Sequence, residues 1–351
     1  MDIVYLIGNG FDRNLNLNTD YKSFYQYYIA QASYSPVIKQ LKSIIKSDYE
    51  NWADLEEALG KYLKNLTRKE DAISIHKDLL NHLQTYICKE EARFVPPKNS
   101  SSEILKELFY PIKSLRKNQR KKLENSILKT EQLRDLYIIT FNYTQTIEKL
   151  IDYKGEPIIA STFRGGYYSR LLDIEHIHGF CDPDKGRMAL GLDNPTQICN
   201  ETLSKSQNIC YRFVKPTFND LTGEEHHLKC LQWIKRADFI CIFGMSIGIS
   251  DQTWWDAIGK RLLTSNAILL YFYHEGFELH NNNTPEFQEQ VDSVKDWLLP
   301  KLGIDDISNE NIRNRIFISC DKSMFKYGIP EKYIDEPDHL YLQRMSHNIS
   351  Y

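Results

Sequence analysis

A chain of 351 residues, 42% hydrophobic and 26% charged, is long enough to bury a large core and has the composition of an ordinary soluble protein. A net charge of −3 supplies no global basic field for nucleic acid, and the most apolar stretch, Phe239 to Ile249, is too short to span a bilayer. The opening Met-Asp-Ile-Val-Tyr lacks the basic region of a signal peptide. Seven scattered cysteines without a C-x-x-C pair fit reduced thiols, so a cytoplasmic, membrane-free protein is expected.

The first element lies in the stretch Asp2 to Asp12, where Ile3 to Ile7 form a short β-branched-rich apolar run broken at once by Gly8-Asn9-Gly10. Such a run predicts a buried parallel strand, and the break predicts a tight turn whose glycines let a backbone come close to a ligand. Position 13 is Arg13, so the full dinucleotide fingerprint is absent and Gly8-x-Gly10 alone is equally a plain strand-end turn. Thr19 and Asp20 can cap a helix over Tyr21–Gln31, where Tyr21, Phe24, Tyr25 and Tyr28 read as core. Further helices are expected from Pro36 to about Lys129: one begun by Asn51-Trp52-Ala53-Asp54, one from Asp71 to Phe94 ended by Pro96-Pro97, and one or two from Ile104 to Leu128. Between Lys98 and Lys129 nine lysines and arginines face three glutamates, with one adjacent aromatic pair, Phe109-Tyr110, rather than aromatics interleaved through the charges, which reads as a solvated helical face.

Strands then return. Leu136–Phe141 ends at Asn142-Tyr143-Thr144, Gly155–Ala160 is a short candidate, Asp173–His178 ends at His178-Gly179, and Met188–Leu192 is a further candidate strand or hairpin arm. A polar, irregular stretch is expected up to Phe218. A helix over Glu224–Arg236 follows, then a strand over Ala237–Phe243 ending at Gly244-Met245-Ser246, and a helix begun by Asp251. A strand over Ala267–Tyr273, a helix over Pro285–Leu299 and a strand over Arg315–Ser319 complete the pattern. Apolar strands alternating with helices predict a parallel α/β sheet, Rossmann-like, with helices on both faces and a large α-helical insertion after the first strand. The expected division is 1–18 with 130–351 as the nucleotide-binding domain and 19–129 as the inserted helical subdomain. Sheets of this kind bind ligands at the carboxyl ends of their strands, so the strand-end breaks at residues 8–10, 142–143, 178–179 and 244–246 should meet at one crevice, with the insertion beside or over it.

The order of these words is similar to that of the AbiH family of bacterial abortive-infection, or phage-defence, proteins. The matching words are Gly8-Asn9-Gly10-Phe11-Asp12, Trp52-x-Asp54-Leu55-Glu56, Thr140-Phe141-Asn142-Tyr143-Thr144, His176-Ile177-His178-Gly179, and Gly244-x-Ser246 followed by Asp251. That family in turn resembles the sirtuin-type NAD-binding fold, whose Gly-x-Gly, Asn, His-Gly, Gly-x-Ser series appears here in the same order. The resemblance implies catalytic roles for Asn142 and His178, and nucleotide-binding roles for Gly8, Asn9, Gly10, Asp12, Gly244, Ser246 and Asp251. It implies NAD as a substrate rather than a resident cofactor, and a trigger protein from phage or host; a homo-oligomer is also in keeping with it. Zinc-ribbon cysteines are missing, and Thr144 stands where sirtuins carry an acid, which argues against protein deacylation.

The chemistry is compatible with these residues. Cleavage of nicotinamide from NAD needs fixed geometry and a base for water, which a neutral histidine can supply. A strand-end asparagine can hold the water or a ribose hydroxyl, and the Gly8–Gly10 amides can face pyrophosphate. Asp12 would meet a ribose hydroxyl or the carboxamide. On the residues alone, Asn142 could equally turn the chain through its own backbone, and His178 could be a satisfied core histidine. Asp251 also reads as an acid favoured at a helix start, and Trp52, Asp54 and Glu56 as a packing anchor with helix-start acids or as an acid near the crevice. Arg164-Gly165-Gly166 is a candidate phosphate-gripping or plain surface loop. Two other classes stay open: a non-catalytic nucleotide-sensing or partner-binding module, and a metal-dependent nuclease or phosphoesterase using His176, His178 and Asp12. No metal site is assigned.

Overall fold

The computed structural model describes residues 1–98, 100–127, 134–163, 167–222, 225–273, 284–321 and 323–327. Its strands are β1 (Asp2–Ile7), β2 (Arg134–Thr140), β3 (Ile158–Phe163), β4 (Tyr167–His176), β5 (Phe239–Phe243), β6 (Ile268–Phe272) and β7 (Ile316–Ser319). They form a seven-stranded sheet in the order β3-β4-β2-β1-β5-β6-β7. Every neighbouring pair is parallel except β3 with β4, so the carboxyl ends of β4, β2, β1 and β5 lie along one rim.

Side chains alternate across the sheet, and both faces are covered. Ile3, Tyr5 and Ile7 of β1, with Leu136, Ile138, Cys241 and Leu270, pack against helices Ser100–Phe109, Lys117–Ile127 and Thr146–Ile151. Val4 and Leu6, with Ile139, Ile240, Ile242 and Leu269, pack against helices His226–Arg236, Gln252–Thr264 and Pro285–Lys301. Burial on both faces is why these strands read as continuous apolar runs rather than as alternations.

A separate core lies in the helices after β1. Phe24, Tyr25 and Tyr28 of Tyr21–Ala30 are fully buried with Leu41, Leu59, Leu79 and Leu83, and this cluster extends to Leu190, Leu192, Ile209 and Phe213 from the segment after β4. The aromatic stripe is therefore core, as its helical spacing predicts. Helices Ser100–Phe109 and Lys117–Ile127 belong instead to the sheet, contributing Ile104, Leu108 and Leu123 to its face.

Differences from the predicted elements are local. The stretch expected to be irregular carries short helices at Glu201–Ser204, Gln207–Phe213 and Lys215–Thr222. Asn200 caps the first by accepting the N–H groups of Thr202 and Leu203, and Leu203, Ile209 and Phe213 are buried. Each helix is too short, with too few apolar positions, to show a period. Met188–Leu192 is not a strand; Leu192 makes an isolated bridge with Val214. The third parallel strand, β4, ends at His176, leaving His178 in the turn beyond it. Arg164-Gly165-Gly166 lies outside the described residues.

At the middle of the rim the turn after β1 crosses the turn after β5. Gly8 N–H donates to the Phe243 carbonyl (3.0 Å) and Gly10 N–H to the Gly244 carbonyl (2.7 Å). A Cβ on Gly10 would lie 2.5 Å from Gly244 Cα, and Gly244 itself has φ +67°. The glycines are required by this backbone-on-backbone crossing. Gly10→Ala is expected to lower the unfolding free energy by about 1–3 kcal/mol through overpacking, seen in urea melts as a lower midpoint at an unchanged slope.

Candidate functional site

His178 is the centre of the rim cluster. Its ring is T-shaped to Phe141 (5.3 Å between centroids) and tilted against Tyr143 (6.1 Å), the residues that flank Asn142 after β2. Its Nε2 is 3.4 Å from Asp251 Oδ1. Asp251 stands where the turn after β5 enters helix Gln252–Thr264, so the word Gly244-x-Ser246…Asp251 is joined to His-Gly by a direct contact.

The same Asp251 oxygen accepts from Lys215 Nζ (2.8 Å), which also donates to Glu56 Oε2 (2.9 Å). Glu56 Oε1 accepts the Gly191 N–H (3.0 Å). Lys215 is 5% exposed and Glu56 4%. Buried charges this close are tolerable only when paired and hydrogen-bonded, and both conditions are met. Asp54 explains the rest of its word: one oxygen caps helix Leu55–Tyr62 by accepting the Glu56 and Glu57 N–H groups (3.0 Å each), and the other accepts the Ser250 hydroxyl (3.1 Å). Trp52 is a packing anchor, buried against Tyr25 and Tyr62, with its carbonyl accepting the Tyr25 hydroxyl. Asp193 closes the far side by accepting the Thr253 N–H (2.8 Å).

Electrostatics follow from this arrangement. Burial disfavours the Lys215 ammonium, but Asp251 and Glu56 outweigh it and raise its pKa well above the ordinary value. Burial also opposes ionisation of Asp251, which Lys215 and then His178 overcome, holding its carboxyl well below the usual range. Glu56 is pushed up, by burial first, with the Asp251 charge adding to the shift against the pull of Lys215. Asp193 is raised to about 6 by burial. His178 is lowered, by burial and then by the Lys215 charge, so its ring is kept neutral. Shifts of opposite sign packed into one strand-end cluster make it a candidate functional site, although structural ion-pair networks shift pKa values in the same way.

His176 turns elsewhere. Its Nδ1 is 3.0 Å from the Asn142 carbonyl and its Nε2 2.5 Å from Glu148 Oε1. Both partners are acceptors, so both nitrogens donate, and Glu148 raises the ring's pKa against the effect of burial. The Asn142 backbone is thereby pinned, its N–H donating to Thr140 Oγ1 (3.1 Å), while its side-chain amide has no hydrogen-bond partner among the described residues. Since His176 and His178 face different carboxylates, they do not form a His-x-His ligand pair. No group of three His, Cys, Asp or Glu among the described residues is arranged to hold a metal ion.

The remaining expected residues divide. Both Asp12 oxygens are engaged inside the protein, accepting the hydroxyls of Thr144 (2.7 Å) and Thr146 (2.6 Å). Asn9 accepts the Thr19 hydroxyl through its side-chain oxygen. The Gly8 and Gly10 N–H groups are used in the crossing with the β5 turn. By contrast the N–H groups of Met245, Ser246 and Ile247 have no acceptor among the described residues, and Ser246 is exposed. Lys215 is the residue that reading the sequence missed. It is a lone lysine after Phe213-Val214, with no spacing pattern to mark it.

Fold and site together define an α/β protein built on a mostly parallel sheet, with a buried network of charges at the strand carboxyl ends and a helical insertion contributing to it. The chain belongs to the bacteriophage abortive infection AbiH family, whose model matches residues 4–273. That span holds Glu56, Asn142, His178, Lys215 and Asp251, and membership points to a role in abortive-infection defence against phage. No curated protein matches the chain significantly. Among the described residues no helix is long and apolar enough to cross a membrane.

Burial raises the Asp12 carboxyl to about 6, with the Thr146 and Thr144 hydroxyls pulling the other way. A carboxyl whose folded pKa is raised contributes fully below its unfolded value near 3.8 and loses that contribution as pH rises through about 6. Asp12→Asn is therefore expected to gain on the wild type by about 2–3 kcal/mol between pH 4 and pH 7, measured as the difference between paired denaturation curves.

Proposed function

We propose that this protein acts in phage defence by binding NAD or a related nucleotide at the strand-end rim and cleaving its nicotinamide–ribose bond. The observation that supports this reading is the chain of contacts that runs from His178 to Asp251, from Asp251 to Lys215 and from Lys215 to Glu56, residues from distant parts of the chain. In this reading the fold is of the Rossmann-like, sirtuin type; β1 sits centrally, with the chain leaving it toward β2 on one side and leaving β5 toward β6 on the other.

The bond to C1′ breaks with its electron pair passing to the nicotinamide nitrogen, and water adds to the oxocarbenium-like carbon. Neutral His178 takes the proton from that water. The unpartnered Asn142 amide orients the water or a ribose hydroxyl. The Met245, Ser246 and Ile247 amides, rather than those of Gly8 and Gly10, are the ones free to meet phosphate oxygens. The trigger in this reading is a component of the infecting phage or the infected host.

One observation favours a second reading, a nucleotide-sensing module without catalysis. The amides of Gly8 and Gly10 are already bonded to the β5 turn, so the usual phosphate-binding place of a Gly-x-Gly turn is filled by the protein itself. Nicotinamide release from NAD by the purified full chain, with and without lysate of phage-infected cells, separates the two. The enzyme reading expects turnover that falls by about 10²-fold or more in His178→Ala and Asn142→Ala. Thermal stabilisation by NAD without product would mark the sensor. Neither turnover nor stabilisation would sink both.

A further inference from the structure

The Lys215 ammonium, together with the Asp54–Ser250 hydrogen bond, joins elements that pack mainly in two different cores. Glu56 belongs to helix Leu55–Tyr62, inside the helical core after β1. Asp251 and the Phe141 side of His178 belong to the rim of the sheet, where Phe141 stacks on Trp255. Lys215 itself opens helix Lys215–Thr222, and its Nζ spans the gap at 2.9 Å to Glu56 and 2.8 Å to Asp251. The Asp251 oxygen that it holds is the one 3.4 Å from His178 Nε2.

We propose that Lys215 is a positioning residue for His178: its ammonium clamps Asp251 beside the ring and ties that carboxylate to Glu56, so that the imidazole's orientation and charge state depend on the helical insertion being seated. The proposal rests on His178 being the base of the site, but it concerns the free protein and is tested without turnover.

The groups around this clamp define what should happen when it is removed. Lys215 is surrounded by Glu56 from helix Leu55–Tyr62, Asp251 before helix Gln252–Thr264, and Asp193 from the loop after Leu192. Tyr143 after β2 feels Glu56, Lys215 and Asp251, and Tyr21 at the start of its helix feels Glu56 and Asp54. Against these acids Lys215 is the cation that lies beside His178 and opposes a positive charge on its ring, while Asp251 favours one. Without Lys215 the nearest charge to the ring is a carboxylate, and a proton on the imidazole takes over the role of counter-ion. With arginine at 215 the positive charge stays.

The chain has 10 histidines, so the His178 ring is followed by heteronuclear NMR after assigning it through the signal lost in His178→Gln. In the wild type the ring is expected to titrate below the ordinary histidine value. In Lys215→Met its titration midpoint should rise by a pH unit or more, a tenfold gain in proton affinity. Lys215→Arg should retain the wild-type midpoint. Because Lys215→Met leaves Glu56 and Asp251 facing each other without a counter-charge, the double variant Glu56→Gln/Lys215→Met is titrated beside it, with thermal melts confirming a cooperative fold. It removes one of those carboxylates and should show the same rise. A midpoint unmoved in folded variants, or an ordinary midpoint already in the wild type, would overturn the assignment. If the midpoint moves as expected while no variant cleaves NAD, the clamp stands and the hydrolase reading falls.

Discussion

A single buried ammonium holds the site together. Lys215 sits between carboxylates from the helical insertion and from the turn after β5, and next to a histidine from the turn after β4. Removing water from these charges is costly, and only their mutual contacts offset the cost. Hydrophobic replacement of buried ion pairs is often neutral or stabilising, so the network is weak evidence for a purely stabilising role, and its place at the strand carboxyl ends makes it the candidate site.

The sheet makes that network geometrically possible. In a parallel sheet every strand delivers its end to the same rim, and residues far apart in the chain meet there without long connections. The β1 and β5 turns are locked by glycines crossing backbone to backbone, which fixes the middle of the rim. Asp12 fastens the short helix after β1 to Thr144 and Thr146, and His176 fastens the Asn142 carbonyl to Glu148. Around His178, then, some residues form the charged cluster and others form its scaffold. Both kinds of role leave recognisable words in a sequence, and the words alone do not say which is which.

The helical insertion contributes side chains to the cluster. Asp54 receives the Ser250 hydroxyl and Glu56 receives Lys215, so the insertion supplies part of the wall of the cluster. Its own core is shared with Leu190, Leu192 and Phe213 of the segment that carries Lys215. That segment is in contact with Asp251, and through it with His178, by way of the ammonium.

Much of the fold was legible in the sequence, for a physical reason. Strands buried on both faces need unbroken apolar runs, and helices on a core need apolar positions at a helical period, so β1, β2, β5 and the Tyr21–Ala30 aromatic stripe announce themselves locally. The short helices between Asn200 and Thr222 do not, because each is too short to show a period and, among the described residues, only the first carries a side-chain cap, from Asn200. The strand-end words Gly8-x-Gly10, Asn142, His178 and Gly244-x-Ser246 were likewise visible. What tertiary structure alone decided was their partners: that the Gly8 and Gly10 amides bond to the β5 turn, that Asp12 turns to two threonines, and that Lys215 bridges Glu56 and Asp251. Those choices depend on distances between segments that only packing brings together, and a lone lysine carries no local pattern to foretell where its charge will lie.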